Sequence, residues 1–162
     1  MIGLEPIGWV HSSRTEAVDD DWDAVVSTID LDPRRFGPAA LQGLEAFSHI
    51  DVVFLFDRVG PEDVETGARH PRSNPHWPEV GIFAQRAKMR PNRLGVTTCA
   101  LRAVEGLTLS VRGLDAIDGT PVLDIKPYMV EFGPRGAVHQ PAWSGELMRG
   151  YWRSGSDAPT DR

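Results

Sequence analysis

A single cysteine, Cys99, stands among the 162 residues of this chain, so the chain can form no internal disulfide and no thiolate metal cluster of its own. No apolar run approaches the roughly 20 residues a membrane-crossing helix needs, and the opening MIGLEPIGWV lacks the basic start and apolar centre of a secretory leader. A cytoplasmic protein with no membrane partner is expected. An excess of basic residues is missing too: 17 lysines and arginines face 23 aspartates and glutamates, for a net charge of −6. A protein that grips nucleic acid by its phosphates needs a basic face, so any such face here must be local. Common catalytic signatures are also absent. There is no GxGxxG behind a strand, no GxxxxGK loop, no HExxH helix and no GxSxG elbow, which argues against Rossmann, P-loop, zinc-protease and hydrolase chemistry. The histidines, His11, His49, His70, His76 and His139, show no ligand spacing. His70 and His76 share one loop without an acidic residue between them, so no metal is expected. His49, at the entry to an apolar strand, reads as a hydrogen-bonded structural residue.

What is present fits one globular domain. Hydrophobic residues make up 41% and charged residues 25% of the sequence, enough apolar surface for a single core. Short strand-like runs separated by Gly, Pro and Asp occur at residues 2–11, 24–31, 51–59, 79–85, 95–103, 107–114 and 121–125, several rich in Val, Ile, Phe and Thr. They predict a mainly β domain. Residues 51–59 (DVVFLFDRV) are nearly all apolar, as in a strand covered on both faces or lying at a dimer interface. Cys99, in the apolar run 96–104, reads as an inert core thiol. Residues 38–47 (PAALQGLEAF) predict a short helix that starts on proline. Residues 60–78, ending in PRSNPHWP, predict an ordered but irregular excursion that can cover a pocket. From Pro141 to Trp152, helical spacing of Trp143, Leu147, Met148, Tyr151 and Trp152 predicts a C-terminal helix with one aromatic stripe. We therefore expect a β domain over residues 1–140, then a helix and a frayed tail over 141–162. The aromatic surface suggests a dimer, or equally a closure of one end of the domain.

Two segments carry the chemistry. Residues 81–95 (GIFAQRAKMRPNRLG) and 114–128 (LDAIDGTPVLDIKPY) each set charged or amide side chains beside a strand-like run, the usual way a rigid sheet presents polar groups to a ligand. The first concentrates Arg86, Lys88, Arg90 and Arg93 in an otherwise acidic chain, whose acidic residues gather at 16–23 and 62–65.

In this order, GLEAFSHID, VGIFAQR, RPNRLG and LDAIDGTPVLDIKPY closely resemble the TsaA/TrmO-like family of S-adenosylmethionine-dependent methyltransferases. The resemblance runs from about Ile7 to Tyr128. It implies a small single-domain β-barrel, a homodimer with cofactor sites near the subunit interface, and methylation of N6-threonylcarbamoyladenosine beside the anticodon of tRNA. Carried over residue by residue, it places S-adenosyl-L-methionine at Phe56, Asp57, Arg86, Leu94, Asp118, Gly119, Thr120 and Pro121. Phe56 and Leu94 would sandwich the purine, and Arg86 would pair with the methionine carboxylate or with a substrate anion. Arg90, Asn92 and Lys126 are the implied substrate contacts. Asp115, Lys126 and Tyr128 are the catalytic candidates, with no general base singled out. Holding the turn or pairing with Lys126 is an equal alternative for Asp115 and Asp124.

Three departures from the family pattern bear on substrate. Asp57 stands where tRNA-modifying members carry histidine after phenylalanine. The Gln-Pro-Gly string of the N-terminal cofactor loop is replaced by acidic EAVDDDWD at 16–23. The chain also ends soon after Trp152, so no further C-terminal domain is expected. A methyltransferase for a small metabolite, or a non-catalytic S-adenosylmethionine-binding protein, are the alternatives to tRNA methylation.

Overall fold

The computed structural model describes residues 2–153; Met1 and the predicted frayed tail from Ser154 lie outside them. In chain order the strands are β1 (Gly8–His11), β2 (Val26–Leu31), β3 (His49–Leu55), β4 (Ala68–Arg69), β5 (Val80–Gly81), β6 (Leu94–Glu105), β7 (Thr108–Arg112) and β8 (Pro121–Pro127), followed by one helix, α1 (Ala142–Met148). Six of the strands close into an antiparallel barrel in the order β1-β2-β7-β6-β3-β8, while β4 and β5 pair separately. The chain is thus mainly β, as its composition predicts. No helix among the described residues is long and apolar enough to cross a membrane.

Alternation along the strands builds the core. In β3, Ile50, Val52 and Phe54 point inward and are buried, whereas His49, Asp51, Val53 and Leu55 face out. The near-continuous apolar run therefore does not reflect burial on both faces within the chain; its outward half is simply apolar too. Val10, Ile29, Leu109, Val111, Leu114 and Val122 complete the interior from the other strands and the β7–β8 connection. Cys99 joins them with its thiol buried.

Two irregularities redirect side chains. A register shift between β3 and β8 leaves Leu123 as an extra residue between Val122, opposite Phe54, and Asp124, opposite Val53. Because side chains alternate with period two, one inserted residue exchanges the faces that follow it. Val122 is buried, yet Asp124 and Lys126 face outward and Ile125 packs on the core. A second shift, at Arg102 in β6, lets Leu101 and Val104 both approach the interior.

Local expectations differ from the structure where tertiary packing or glycine intervenes. The predicted helix over 38–47 is instead two 3-10 turns, Pro38–Leu41 and Leu44–Ala46, separated by Gly43 at φ 87°. A left-handed residue breaks the helical ladder there. The run at 79–85 gives only a two-residue strand, after which the chain tightens into the 3-10 turn Ile82–Ala84. The run at 2–11 forms a strand only from Gly8. The C-terminal helix stops at Met148, and residues 149–152 leave it as a turn, with the Tyr151 N–H donating to Met148 O at 3.1 Å, rather than carrying on the aromatic stripe. The excursion over 60–78 is irregular as expected, with 3-10 turns at Pro61–Asp63 and Pro71–Ser73. It is tied to α1 by a 2.8 Å hydrogen bond from Trp77 Nε1 to Glu146 Oε2.

Gly95 is required by packing. A Cβ placed there would lie 2.4 Å from the Phe54 ring, a buried aromatic with no room to retreat in a close-packed core. Gly95→Ala is expected to destabilise the fold by about 1–3 kcal/mol, read as a lowered urea midpoint with an unchanged slope; a wild-type midpoint would contradict this contact.

Burial, reinforced by the negative charges of Asp115 and Asp51, pushes the Cys99 thiol up from 9.0 to about 12. Below pH 9 the thiol is protonated in both the folded and the unfolded chain. Between pH 9 and about 12 the unfolded chain releases this proton while the folded chain keeps it, so stability falls as pH rises. Urea titrations across that window should show a smaller decline for Cys99→Ala than for wild type, and parallel declines would contradict the assignment.

Candidate active site

Antiparallel closure gathers particular strand ends at one mouth of the barrel: the ends of β1, β3 and β7 and the starts of β2, β6 and β8. The connection from β7 to β8 crosses this mouth and carries Asp115, Asp118, Gly119 and Thr120. Phe56 and Asp57 follow β3 here, Leu94 opens β6, and Pro121 opens β8 opposite Trp9. One end of the fold thus collects seven of the predicted cofactor residues, Phe56, Asp57, Leu94, Asp118, Gly119, Thr120 and Pro121.

Backbone hydrogen bonds hold this rim. The Phe56 N–H donates to Arg93 O at 2.8 Å, and Arg93 Nη1 donates back to Val59 O at 2.5 Å. Arg58 reaches across to Thr15 O at 2.7 Å and to Asp118 O at 3.5 Å. On the facing side, the Ser12 N–H donates to Asp118 Oδ1 at 3.0 Å and the Gly119 N–H to Val10 O at 2.8 Å. Thr120 is buried, and its hydroxyl donates to Ile117 O at 2.7 Å. Gly119 has φ +82° and nothing within 4 Å of where a Cβ would stand, so the turn needs glycine for its dihedral and leaves open space beside the backbone.

The side chains around this space differ in how far they are committed. Asp57 is exposed and has no side-chain partner among the described residues. Phe56 meets Phe54 edge to face with ring centroids 5.3 Å apart, packing on the core while remaining partly exposed. Leu94 belongs to the outward row of β6 with Val96 and Thr98, opposite Leu55. The two apolar groups predicted to enclose a purine therefore lie on different faces of the sheet.

The loop before β6 is organised by buried Gln85, whose amide donates to Arg69 O at 3.1 Å and Val80 O at 2.9 Å. Arg90 donates to Gln85 O at 2.9 Å, so this predicted substrate contact is partly a loop brace. Arg86 donates once, to Val96 O at 2.7 Å. A guanidinium has five N–H donors, and exposed Arg86 retains most of them for a ligand. Lys88 and Asn92 are exposed on the same loop.

Asp115 sits in a small hydroxyl cradle. Thr97 Oγ1 donates to its Oδ1 and the Tyr151 hydroxyl to its Oδ2. Asp115 does not pair with Lys126; the carboxylate partner of that lysine is Asp124, 2.6 Å away. Asp124 holds the Lys126 ammonium above its ordinary range through the hydrogen bond and the charge. The contact of Tyr151 with this carboxylate is one the sequence does not announce. Tyr151 appears there only as one member of an aromatic stripe, and nothing local links it to a residue 36 positions earlier. Burial, then the Asp115 charge and hydrogen bond, push its phenol well above the usual tyrosine range, and the Arg86 charge pulls the other way.

Three carboxylates of the acidic loop at 16–23 pair with arginines from elsewhere in the chain. Arg72 lies 3.1 Å from Asp20 and 3.7 Å from Asp19, and Arg112 lies 2.6 Å from Asp23. The Arg14 guanidinium stacks 4.1 Å over Trp22 and donates to Asp20 O and Asp21 O.

Lys126 and Tyr128 lie at the other end of the barrel, opposite Asp51 and bonded to His49 O respectively. At about 3.3 Å per residue, roughly 15 Å of β8 separates Lys126 from Pro121. Within one chain they are not grouped with Asp115. His49 is exposed, with Ser48 Oγ 2.8 Å from its Nδ1, and His70 Nδ1 is 2.7 Å from Trp77 O. Among the described residues no three His, Cys, Asp or Glu side chains are arranged to hold a metal ion. A wall groove of about 300 Å³ lies between His49, Thr98, Arg112 and Trp152 and includes none of the predicted cofactor residues.

Comparison with known proteins agrees with this architecture. A family model described as the tRNA-methyltransferase O N-terminal domain matches residues 19–133. The human tRNA (adenine(37)-N6)-methyltransferase is 37% identical over 126 residues, which cover 75% of this chain and 28% of the human one. This chain spans between 21% and 28% of the mammalian tRNA methyltransferases it matches. A probable S-adenosyl-L-methionine-binding protein of Methanothermobacter thermautotrophicus is 37% identical over 143 residues, covering 83% of this chain and 96% of that protein. The crystal structure of TrmO from Pseudomonas aeruginosa superposes with a TM-score of 0.70 at 32% identity, covering 86% of this chain and 61% of the other. With its barrel order, its motif-bearing mouth and a family match over most of its length, the chain belongs to the tRNA-methyltransferase O N-terminal domain family.

Proposed function

We propose that this chain is an S-adenosyl-L-methionine-dependent tRNA methyltransferase that acts on N6-threonylcarbamoyladenosine beside the anticodon, in the cytoplasm. The observation that carries this reading is that Asp57, Asp118 and Gly119 lie at one end of the barrel with binding capacity to spare, while Arg86, on the loop before β6, makes a single hydrogen bond. Their donor set suits the cofactor. Asp57 has an uncommitted carboxylate, Arg86 makes one hydrogen bond, and the Gly119 backbone is bordered by open space. When bound, the cofactor supplies a methyl group already activated by a sulfonium.

The residues of the chain do the remaining work. Asp57 and Asp118 accept hydrogen bonds from hydroxyls, Arg86 donates to a carboxylate, and Phe56 offers an apolar face. Asp115 is our candidate proton acceptor. Each of its oxygens takes one hydroxyl hydrogen bond and keeps a second acceptor position, enough to orient an N–H and receive its proton. Lys88 and Asn92 flank the mouth on the substrate side, with Arg90 bracing their loop.

A homodimer completes this arrangement in our reading. Val53, Leu55, Leu94 and Val96 form an outward apolar row on β3 and β6, and Val96 is 45% exposed. A second copy on that face would bring Lys126 and Tyr128 to a mouth they cannot reach in their own chain. Trp143, Tyr151 and Trp152 contribute less to such a surface than their sequence suggests, because Trp143 and Tyr151 are half-buried within the chain.

The acidic balance of the chain and the anionic Asp57 favour a second reading, methylation of a small metabolite. Incubation with labelled cofactor, offered tRNA or a metabolite extract, separates the two by where the label appears.

Calorimetric titration should detect uptake of S-adenosyl-L-methionine or its demethylated product, weakened roughly tenfold or more in Arg86→Gln by loss of a charge-assisted hydrogen bond. No uptake by the wild type would overturn the reading. Sedimentation at micromolar concentration should give the mass of two chains, and a one-chain mass would remove the dimer.

A further inference from the structure

The family match ends at residue 133, yet a hydroxyl from beyond it is bonded to the Asp115 carboxylate. We propose that Tyr151 is a positioning residue that fixes the plane of the Asp115 carboxylate, delivered there by the turn Gly150–Trp152 that follows α1 and docks on the acidic loop. This rests on the mouth being the methyl-transfer site.

The geometry is specific to this segment. After α1 the chain lies alongside the acidic loop, with the N–H groups of Asp21, Trp22 and Asp23 donating to the carbonyls of Gly150, Tyr151 and Trp152 at 3.2, 2.9 and 3.2 Å. Consecutive hydrogen bonds of this kind fix both register and facing, so Tyr151 can point to only one side. Within the acidic loop, Asp20 is held by Arg72 at 3.1 Å. The Trp152 ring meets Tyr151 edge to face with centroids 4.9 Å apart, which limits rotation of the phenol.

These contacts have a chemical consequence. A carboxylate held through one oxygen can still swing about that bond; held through Oδ1 by Thr97 and Oδ2 by Tyr151, its plane and its two remaining acceptor directions are set. The phenol stays a donor because burial and the neighbouring Asp115 charge oppose its ionisation. The Arg86 charge acts on the same phenol in the opposite direction. The acidic loop, in place of the Gln-Pro-Gly string, thus serves as the docking strip for the segment that carries Tyr151.

The chain contains two tyrosines, Tyr128 and Tyr151, so the difference between spectrophotometric pH titrations with and without Tyr151→Phe isolates Tyr151. Asp115→Asn should move its ionisation downward, independently of any activity. Tyr151→Phe should leave cofactor uptake and the KM for tRNA within about twofold while lowering kcat roughly tenfold or more. Amide exchange at residues 21–23 should match wild type, showing that the segment is still docked. Tyr151→Phe turning over at the wild-type rate with normal uptake would overturn the positioning role alone, as would a tyrosine titration indifferent to Asp115→Asn. Absence of cofactor uptake by the wild type would overturn the methyl-transfer reading and this role with it.

Discussion

The barrel depends on β8 pairing with two neighbours, β1 at its start and β3 along most of its length. Without that double pairing β1 and β3 would be open edges, with unpaired backbone groups and no enclosed core. Val122 shows how closely closure and core formation are linked. It pairs with both Gly8 and Phe54, and its side chain is wholly buried. Gly8 is also required on its other side, where it faces β2, because a Cβ there would fall 2.3 Å from Asp30 O. Closure is also what brings residues 56–57, 94 and 118–121, remote in sequence, to one rim. The bulge at Leu123 then divides the strand's roles, with Val122 inside at the mouth and Asp124 and Lys126 outside toward the far end.

Charge is distributed by pairing rather than by composition. The chain is acidic overall, yet the acidic loop is balanced by Arg14, Arg72 and Arg112, two of them through direct ion pairs. Arg90 and Arg93 each donate to a backbone carbonyl of the rim. Arg86 and Lys88 are left as exposed positive charge beside the mouth. An anionic ligand would therefore meet a locally basic approach on a globally acidic protein, which matters for association because exposed charges beyond about 10 Å are screened at moderate salt. Surface pairs of this kind add little to stability; their effect here is to decide which cations remain available.

The mouth joins rigid and adaptable parts. Its strand ends are locked by the ladder, and Phe56 and Thr120 are anchored to the interior or to their own turn. Asp57 and Lys88 project from connecting loops without such anchorage. Asp115 lies between these extremes, on a connection but held by hydroxyls from β6 and from the C-terminal segment. Placing a reactive group on a loop and immobilising it from two elements is one way to combine access with orientation.

Residue pattern alone determined the mainly β character, the inert cysteine, the irregular excursion and the two chemistry-bearing segments, because alternation, turn residues and motif strings are local properties of the chain. The family resemblance carried by strings such as DGTP and RPNRLG named the residues 56–57, 94 and 118–121 that lie at the mouth. Tertiary structure alone decided the rest. It broke the expected 38–47 helix at Gly43, gave β3 one buried face where the apolar run suggested two, and set Leu94 and Phe56 on different faces. It also separated Lys126 and Tyr128 from Asp115 and brought Tyr151 to that carboxylate. Each of these outcomes depends on strand register, on a single inserted residue, or on a contact between distant segments. Such relations exist only once the barrel has closed, and no stretch of sequence contains both partners.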